Sequence, residues 1–215
     1  MRPTLIALHG FTLNGALMRR GLGPLAGRLE ELVELDCPDA PNTCSPGAVD
    51  RLYARWDTPR LPPPHLCWWD SSDDGLVYHG WEETLGLMRQ LLTRQGPVGV
   101  LGFSQGAMLA ATLAALSSRG EIPPLAFAVV IAGSLPRAPA LRSAFDNLVK
   151  VPSLHLWGER DQLTGSYSPA LAWRFEPTLS ETVTWPGGHS IPSRGEAAER
   201  LVEFVTRQTA SLSAP

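Results

Sequence analysis

The sequence of 215 residues predicts an α/β fold, a parallel sheet with helices on both faces. Two observations carry this. Short apolar runs alternate with amphipathic segments from end to end, and the runs are nearly continuous in apolar residues, as strands covered on both faces are. Alternation of that kind joins parallel strands through right-handed helical crossovers.

Taken in chain order, the first strand is "TLIAL" from Thr4. Leu25, Leu29 and Leu32, spaced by four and three, mark a helix, and "LVEL" from Leu32 is the second strand. Trp81, Leu85, Met88 and Leu92 repeat the helical spacing ahead of the strand "VGVLGF" at Val98. Leu109, Leu113 and Leu116 mark the next helix, and "LAFAVVIAG" from Leu125 the next strand. "SLHLWG" from Ser153 and "TVTW" from Thr182 complete six strands, and Leu201 and Val205 mark a last helix. Between Cys37 and Gly80 the rhythm fails. Prolines crowd "CPDAPNTCSP" and "TPRLPPPH", and the segment ends in "WWDSSDDGLVYHGW". Long irregular segments inside compact domains are usually binding loops. Residues 41–80 are therefore expected to border an active site within a single domain spanning residues 1–215.

Composition narrows the function. Apolar residues make up 44% and charged residues 18%, enough for one substantial core without the signature of disorder. A net charge of -3 provides no basic stripe for nucleic acid and no polybasic membrane anchor. The apolar run near the N-terminus is too short for a signal peptide, and "LAFAVVIAG" is far short of a membrane span, so a cytoplasmic location is expected. Cys37, Cys44 and Cys67 have no CxxC spacing and read as structural thiols. His65 and His155 read as core or loop residues, and no metal-ligand spacing occurs among the five histidines. "SSDD" before Gly75 reads as a solvated turn. No metal and no cofactor are expected.

The chemistry centres on "GFSQG" around Ser104. G-x-S-x-G describes a sharp strand-to-helix turn that exposes a serine hydroxyl, and Gly102 and Gly106 supply the room such a turn demands. The flanking "VGVL" and "AMLAATLAAL" read as a buried strand and a helix, the context the motif requires. The bland alternative is a helix cap, with Ser104 accepting a backbone N–H. A serine hydroxyl becomes a nucleophile only when a positioned base takes its proton and an acid orients that base. In the α/β-hydrolase chain order, serine precedes the acid and the acid precedes histidine. Asp161 follows the strand ending in "LWG", with Glu159 a nearby competitor and Asp70, Asp73 and Asp74 rivals in the irregular region. His189 follows the last strand, beside Gly187 and Gly188. Asp161 and His189 thus fall at the carboxyl edge of the sheet with Ser104, where open α/β sheets bind ligands. The oxyanion would take the backbone N–H of Gln105 and one from "LHGFTLNG", with Phe11 preferred and Thr12 second. His9 precedes the nucleophile at a strand end and reads as structural. Thr12, Trp69, Tyr78, Met108, Leu163 and Ile191 flank these motifs and are candidates for the substrate pocket.

Together, "LHGFTLNG", "DDGLVYHGWEETL", "GVLGFSQGAMLA", "LHLWGERDQLT" and "GGHSIP" resemble the FSH-type serine hydrolases, which include an ovarian-tumour-associated hydrolase and fungal esterases and thioesterases. The likeness runs from Thr4 to about Val205, and "DG…Y.GW" is its more specific mark. It implies a compact α/β-hydrolase, and the six core parallel strands are expected in the order 2-1-3-4-5-6. It also implies Ser104, Asp161 and His189 as the triad, and cleavage of carboxylic esters or acyl thioesters of apolar acyl chains. The expected partner is thus a small-molecule ester or thioester; oligomeric state is left open. Acyl-protein thioesterases and phospholipid-type carboxylesterases share "GFSQG" and form the nearest alternative. The alternative outside enzymes is a catalytically silent binding protein of the same fold.

Overall fold

The computed structural model describes residues 2–56, 60–93 and 98–212, with the side chains of residues 55 and 56 left aside. The six expected strands are β1 (Thr4–Leu8), β2 (Glu34–Asp36), β7 (Val98–Phe103), β8 (Phe127–Ile131), β9 (Ser153–Gly158) and β10 (Ser180–Trp185). They form one parallel sheet ordered β2-β1-β7-β8-β9-β10. Counting these six alone, the order is the expected 2-1-3-4-5-6.

The remaining strands are two-residue pieces within the proline-rich region. β3 (Asn42–Thr43) pairs with β4 (Leu66–Cys67), and β5 (Asp70–Ser71) with β6 (Tyr78–His79), both antiparallel. The same region holds the helix α3 (Pro46–Trp56), which the sequence reading leaves without a period. Val49 is buried, Tyr53 packs against the same small cluster, and Leu52 lines the cavities described below. Residues 57–59 of this region lie outside the described residues.

Strand residues alternate between two cores. Leu5, Ala7, Leu101, Phe127, Val129, Leu154 and Leu156 pack under α1 (Gly15–Leu22), α2 (Pro24–Glu30) and α8 (Glu196–Leu212). Ile6, Leu8, Val98, Val100, Ala128 and Val130 pack on the other face, under α4 (Trp81–Leu92) and α5 (Gln105–Ser118). Helix α5 buries ten residues rich in alanine and leucine, Leu109 to Leu116 without a break, because it crosses the middle of the sheet. Two short helices, α6 (Pro139–Arg142) and α7 (Ser168–Ala172), follow β8 and β9. The chain leaves β1 toward β2 on one side and returns to β7 on the other. The carboxyl ends of β1 and β7 therefore flank a topological switch point, where a crevice opens.

Candidate active site

Ser104 follows β7 with φ 56° and ψ -115°, a left-handed backbone that a non-glycine residue adopts at a cost. Its two glycines are dictated by contact. A Cβ on Gly102 would lie 2.0 Å from the Gly106 carbonyl oxygen, and one on Gly106 would lie 2.1 Å from the Leu8 carbonyl oxygen. The turn thus presses β7, α5 and the end of β1 together, backbone against backbone. The Ser104 carbonyl accepts from the N–H groups of Ala107 (3.0 Å) and Met108 (3.1 Å), which begins α5. Its hydroxyl makes no cap to the helix. It meets His189 Nε2 at 2.9 Å instead.

The His189 Nδ1 lies 2.9 Å from Asp161 Oδ2. With its N–H on Nδ1, donating to the carboxylate, the ring leaves Nε2 free to accept the Ser104 hydroxyl proton. The Asp161 carboxylate is enclosed, while the imidazole keeps 18% of its surface exposed. Asp161 Oδ1 accepts from the N–H groups of Leu163 (2.8 Å) and Thr164 (3.0 Å), and Oδ2 from the Thr164 hydroxyl (2.8 Å). Burial by itself would raise the pKa of Asp161. The hydrogen bonds from His189 and Thr164 outweigh it and hold the carboxyl below its ordinary range. Glu159 points elsewhere, toward the Thr184 hydroxyl at 3.3 Å. Two backbone bonds, Glu159 N–H to Trp185 O and Arg160 N–H to Gly187 O, both 2.9 Å, lock the Asp161 loop to the His189 loop.

The loop after β1 turns tightly. Gly10 O accepts from Leu13 N–H at 3.2 Å and from His9 Nδ1 at 2.8 Å, and Thr12 takes φ 66°. The Thr12 N–H is committed to Leu66 O at 2.9 Å. Buried His9 accepts the Ala40 N–H on Nε2 at 3.0 Å, and burial lowers its pKa. It braces the end of β1.

A family model described as serine hydrolase (FSH1) matches residues 1–201. The chain belongs to this family. Human OVCA2, an esterase, is 32% identical over 94% of the chain and 94% of its own length. An Anopheles gambiae esterase is 34% identical over 95% of the chain and 77% of its own length. The chain is an esterase by homology. In fold it is similar to the solved structures of esterase PE8 (TM-score 0.69, 19% identity, 96% of this chain and 92% of that one) and of Zea mays acyl-protein thioesterase 2 (TM-score 0.67, 19% identity, 97% and 94%).

Two cavities adjoin near the turn in this FSH1-family hydrolase, and Ser104 lines the first of them. One, of about 480 Å³, exposes Ser104, His189 and Thr12 and is walled by Leu13, Tyr53 and Leu61. The other, of about 840 Å³, lies past Gln105 and is walled by Trp69, Tyr78 and Met108. Phe11, Leu52 and Leu163 border both. Trp69 stacks on Tyr78 (centroids 4.7 Å apart, planes 8° apart) and meets Trp81 edge-on, so Trp69 and Tyr78 build one wall of the larger cavity with Trp81 packed against Trp69. Ile191 is placed elsewhere: half-buried, it packs into the core under α1 and α8 and lines neither cavity.

Sequence reasoning did not single out the Gln105 side chain. Its Oε1 accepts the Trp68 N–H at 3.0 Å, and its Nε2 donates to Trp69 O at 2.7 Å. Trp68 Nε1 in turn donates to His9 O at 2.8 Å. One amide therefore ties the turn at Ser104, the 65–69 segment and the loop after β1 into a single frame. No local pattern announces it, because its partners lie more than 35 residues away. The Thr164 contacts, by contrast, follow from D-x-x-T spacing, a side chain capping its own turn.

Proposed function

We propose that this esterase cleaves carboxylic esters, or acyl thioesters, through an acyl-enzyme on Ser104, with His189 as general base and Asp161 as the acid that orients it. The observation that carries this is the His189 ring, bonded at 2.9 Å to Ser104 Oγ on one side and at 2.9 Å to Asp161 Oδ2 on the other. His189 takes the serine proton as Oγ attacks the carbonyl carbon, and Asp161 stabilises the imidazolium. The oxyanion is held by the N–H of Gln105 at the start of α5, aided by the helix dipole, and by that of Phe11. Thr12 cannot serve, since its N–H is already bonded to Leu66 O. Such donors contribute about 3–4 kcal/mol each to the transition state. His189 then protonates the leaving alcohol or thiol, and water, deprotonated by the same ring, releases the acid.

Direction follows from the proton. The leaving atom must face His189, so the leaving group occupies the cavity that His189 lines. The acyl chain runs the other way, past Gln105, between Trp69, Tyr78, Met108 and Leu163. Residues 41–80 thus cover part of the mouth. Three free thiols, Cys37, Cys44 and Cys67, suit a reducing, cytoplasmic setting.

The test is Ser104→Ala. It should abolish fluorophosphonate labelling and lower kcat by several orders of magnitude at an unchanged circular dichroism spectrum. Labelling that persists in the variant and maps to another serine overturns the assignment.

A further inference from the structure

Beyond Tyr78 the acyl cavity changes character. Its walls become Ser71, Ser72, Asp73 and Gly75 of the β5–β6 hairpin, Arg51 of α3 and Arg137 of the loop after β8. A cavity meant only for hydrocarbon has no use for two guanidinium groups. Their partners differ. Arg51 pairs with Asp73 at 3.4 Å, whereas Arg137 forms no salt bridge among the described residues.

The carboxylates around Arg137 are engaged. Asp74 Oδ1 accepts from the Ser72 hydroxyl (2.6 Å) and the Leu76 N–H (2.9 Å), which closes the hairpin, and Arg137 acts on it only at longer range. Asp70 Oδ2 accepts the Ser45 N–H at 2.9 Å. Arg142 adds a further positive charge within electrostatic reach of Tyr78. Arg137 is also held in place. Its N–H donates to the Tyr78 hydroxyl at 2.8 Å, and a Cβ on Gly75 would lie 3.1 Å from its Nη1, so the guanidinium lies against the hairpin backbone. Tyr78 itself is stacked on Trp69, in the wall of the apolar section.

We propose that the acyl group this enzyme takes ends in a carboxylate held by Arg137, making the substrate a half-ester or half-thioester of a dicarboxylic acid. This rests on the acyl chain occupying the larger cavity. The methylenes lie against Trp69, Met108 and Leu163, and the terminal carboxylate meets a planar fork of N–H donors suited to bidentate pairing. Hydrolysis releases a free dicarboxylate.

The experiment compares p-nitrophenyl half-esters of adipic and suberic acid with p-nitrophenyl hexanoate and octanoate, which match them in chain length. Each rate is corrected for spontaneous hydrolysis. For the parent enzyme, kcat/KM should favour the charged ester of each pair by about five- to tenfold, the range of a partly exposed charge-assisted contact. The ratio should shrink as sodium chloride is added. In Arg137→Ala it should fall to one or below, and in Arg137→Lys to an intermediate value, with thermal unfolding midpoints confirming that both variants are folded. A ratio of one or less in the parent overturns the proposal, as does a preference that survives Arg137→Ala. Turnover of neither class overturns the esterase mechanism as well, whereas equal turnover of both overturns this proposal alone.

Discussion

In the triad proposed above, Asp161 is chosen as the acid by placement rather than by residue type. Glu159, two residues earlier, is equally acidic but reaches Thr184 on the edge strand, while Asp161 turns inward beneath His189 with every carboxylate oxygen bonded. Asp161→Asn should therefore lower kcat by about 10³–10⁴ near neutral pH, because an amide can favour the wrong imidazole tautomer. Glu159→Gln and Asp73→Asn should stay within about tenfold of the parent. Steady-state kinetics on one p-nitrophenyl ester decides between them, and a near-active Asp161→Asn would mean the acid lies elsewhere. Gln105 is a second residue-scale case. Gln105→Leu leaves the Trp68 N–H and Trp69 carbonyl without their partners, at about 1–3 kcal/mol for each buried group. Denaturant unfolding should show a loss of that order. Because the frame also holds the loop after β1, kcat should fall more than KM rises.

At the scale of elements, the site is assembled where four strands end. β1 contributes the loop bearing Phe11, β7 the turn at Ser104, β9 the Asp161 loop and β10 the His189 loop. Each motif was legible because a strand's apolar run and its terminal glycine or charged residue are neighbours in sequence. The proline-rich region was not legible in the same way. Its strands are two residues long, and its hydrogen bonds, such as Asn42 Nδ2 to Trp68 O at 3.1 Å and to Gly80 O at 3.0 Å, join distant segments. This region walls the larger cavity through Trp69 and Tyr78. Chain length in the acyl group should therefore matter: kcat/KM should rise from acetate to hexanoate, since each buried methylene contributes about 0.8 kcal/mol. A flat or falling series of p-nitrophenyl esters would show that the acyl chain does not lie along those walls.

For the molecule as a whole, stability in acid depends on a histidine far from the chemistry. His155 on β9 is buried against Phe175, and desolvation lowers its pKa to about 3. In the unfolded chain the same imidazole takes up a proton near pH 6.5. The unfolded state therefore binds more protons between those values, and stability falls as pH drops from about 6.5 toward 3. Asp161 adds to the loss at the lower end. Its folded pKa is depressed, so its contribution is present above the unfolded value near 3.9 and disappears as pH falls through the folded one. His155→Phe should flatten the stability profile between pH 6 and 4, measured by urea unfolding, and an unchanged slope would show that other groups carry it. No described helix is long and apolar enough to cross a membrane.

What the sequence determined by itself was whatever neighbours in the chain can encode. The apolar runs specified six strands, the glycines around Ser104 specified the turn, and the order of Ser104, Asp161 and His189 placed all three at strand ends. Tertiary structure alone decided which N–H groups remain free in the loop after β1, that Ile191 turns into the core, and that Gln105 bonds to Trp68 and Trp69. It also decided that Arg137 lines the larger cavity without a salt bridge among the described residues. The physical reason is range. Strand periodicity and turn sterics act over a few residues, whereas a cavity wall or a committed hydrogen bond depends on segments that meet only once the sheet has brought them together.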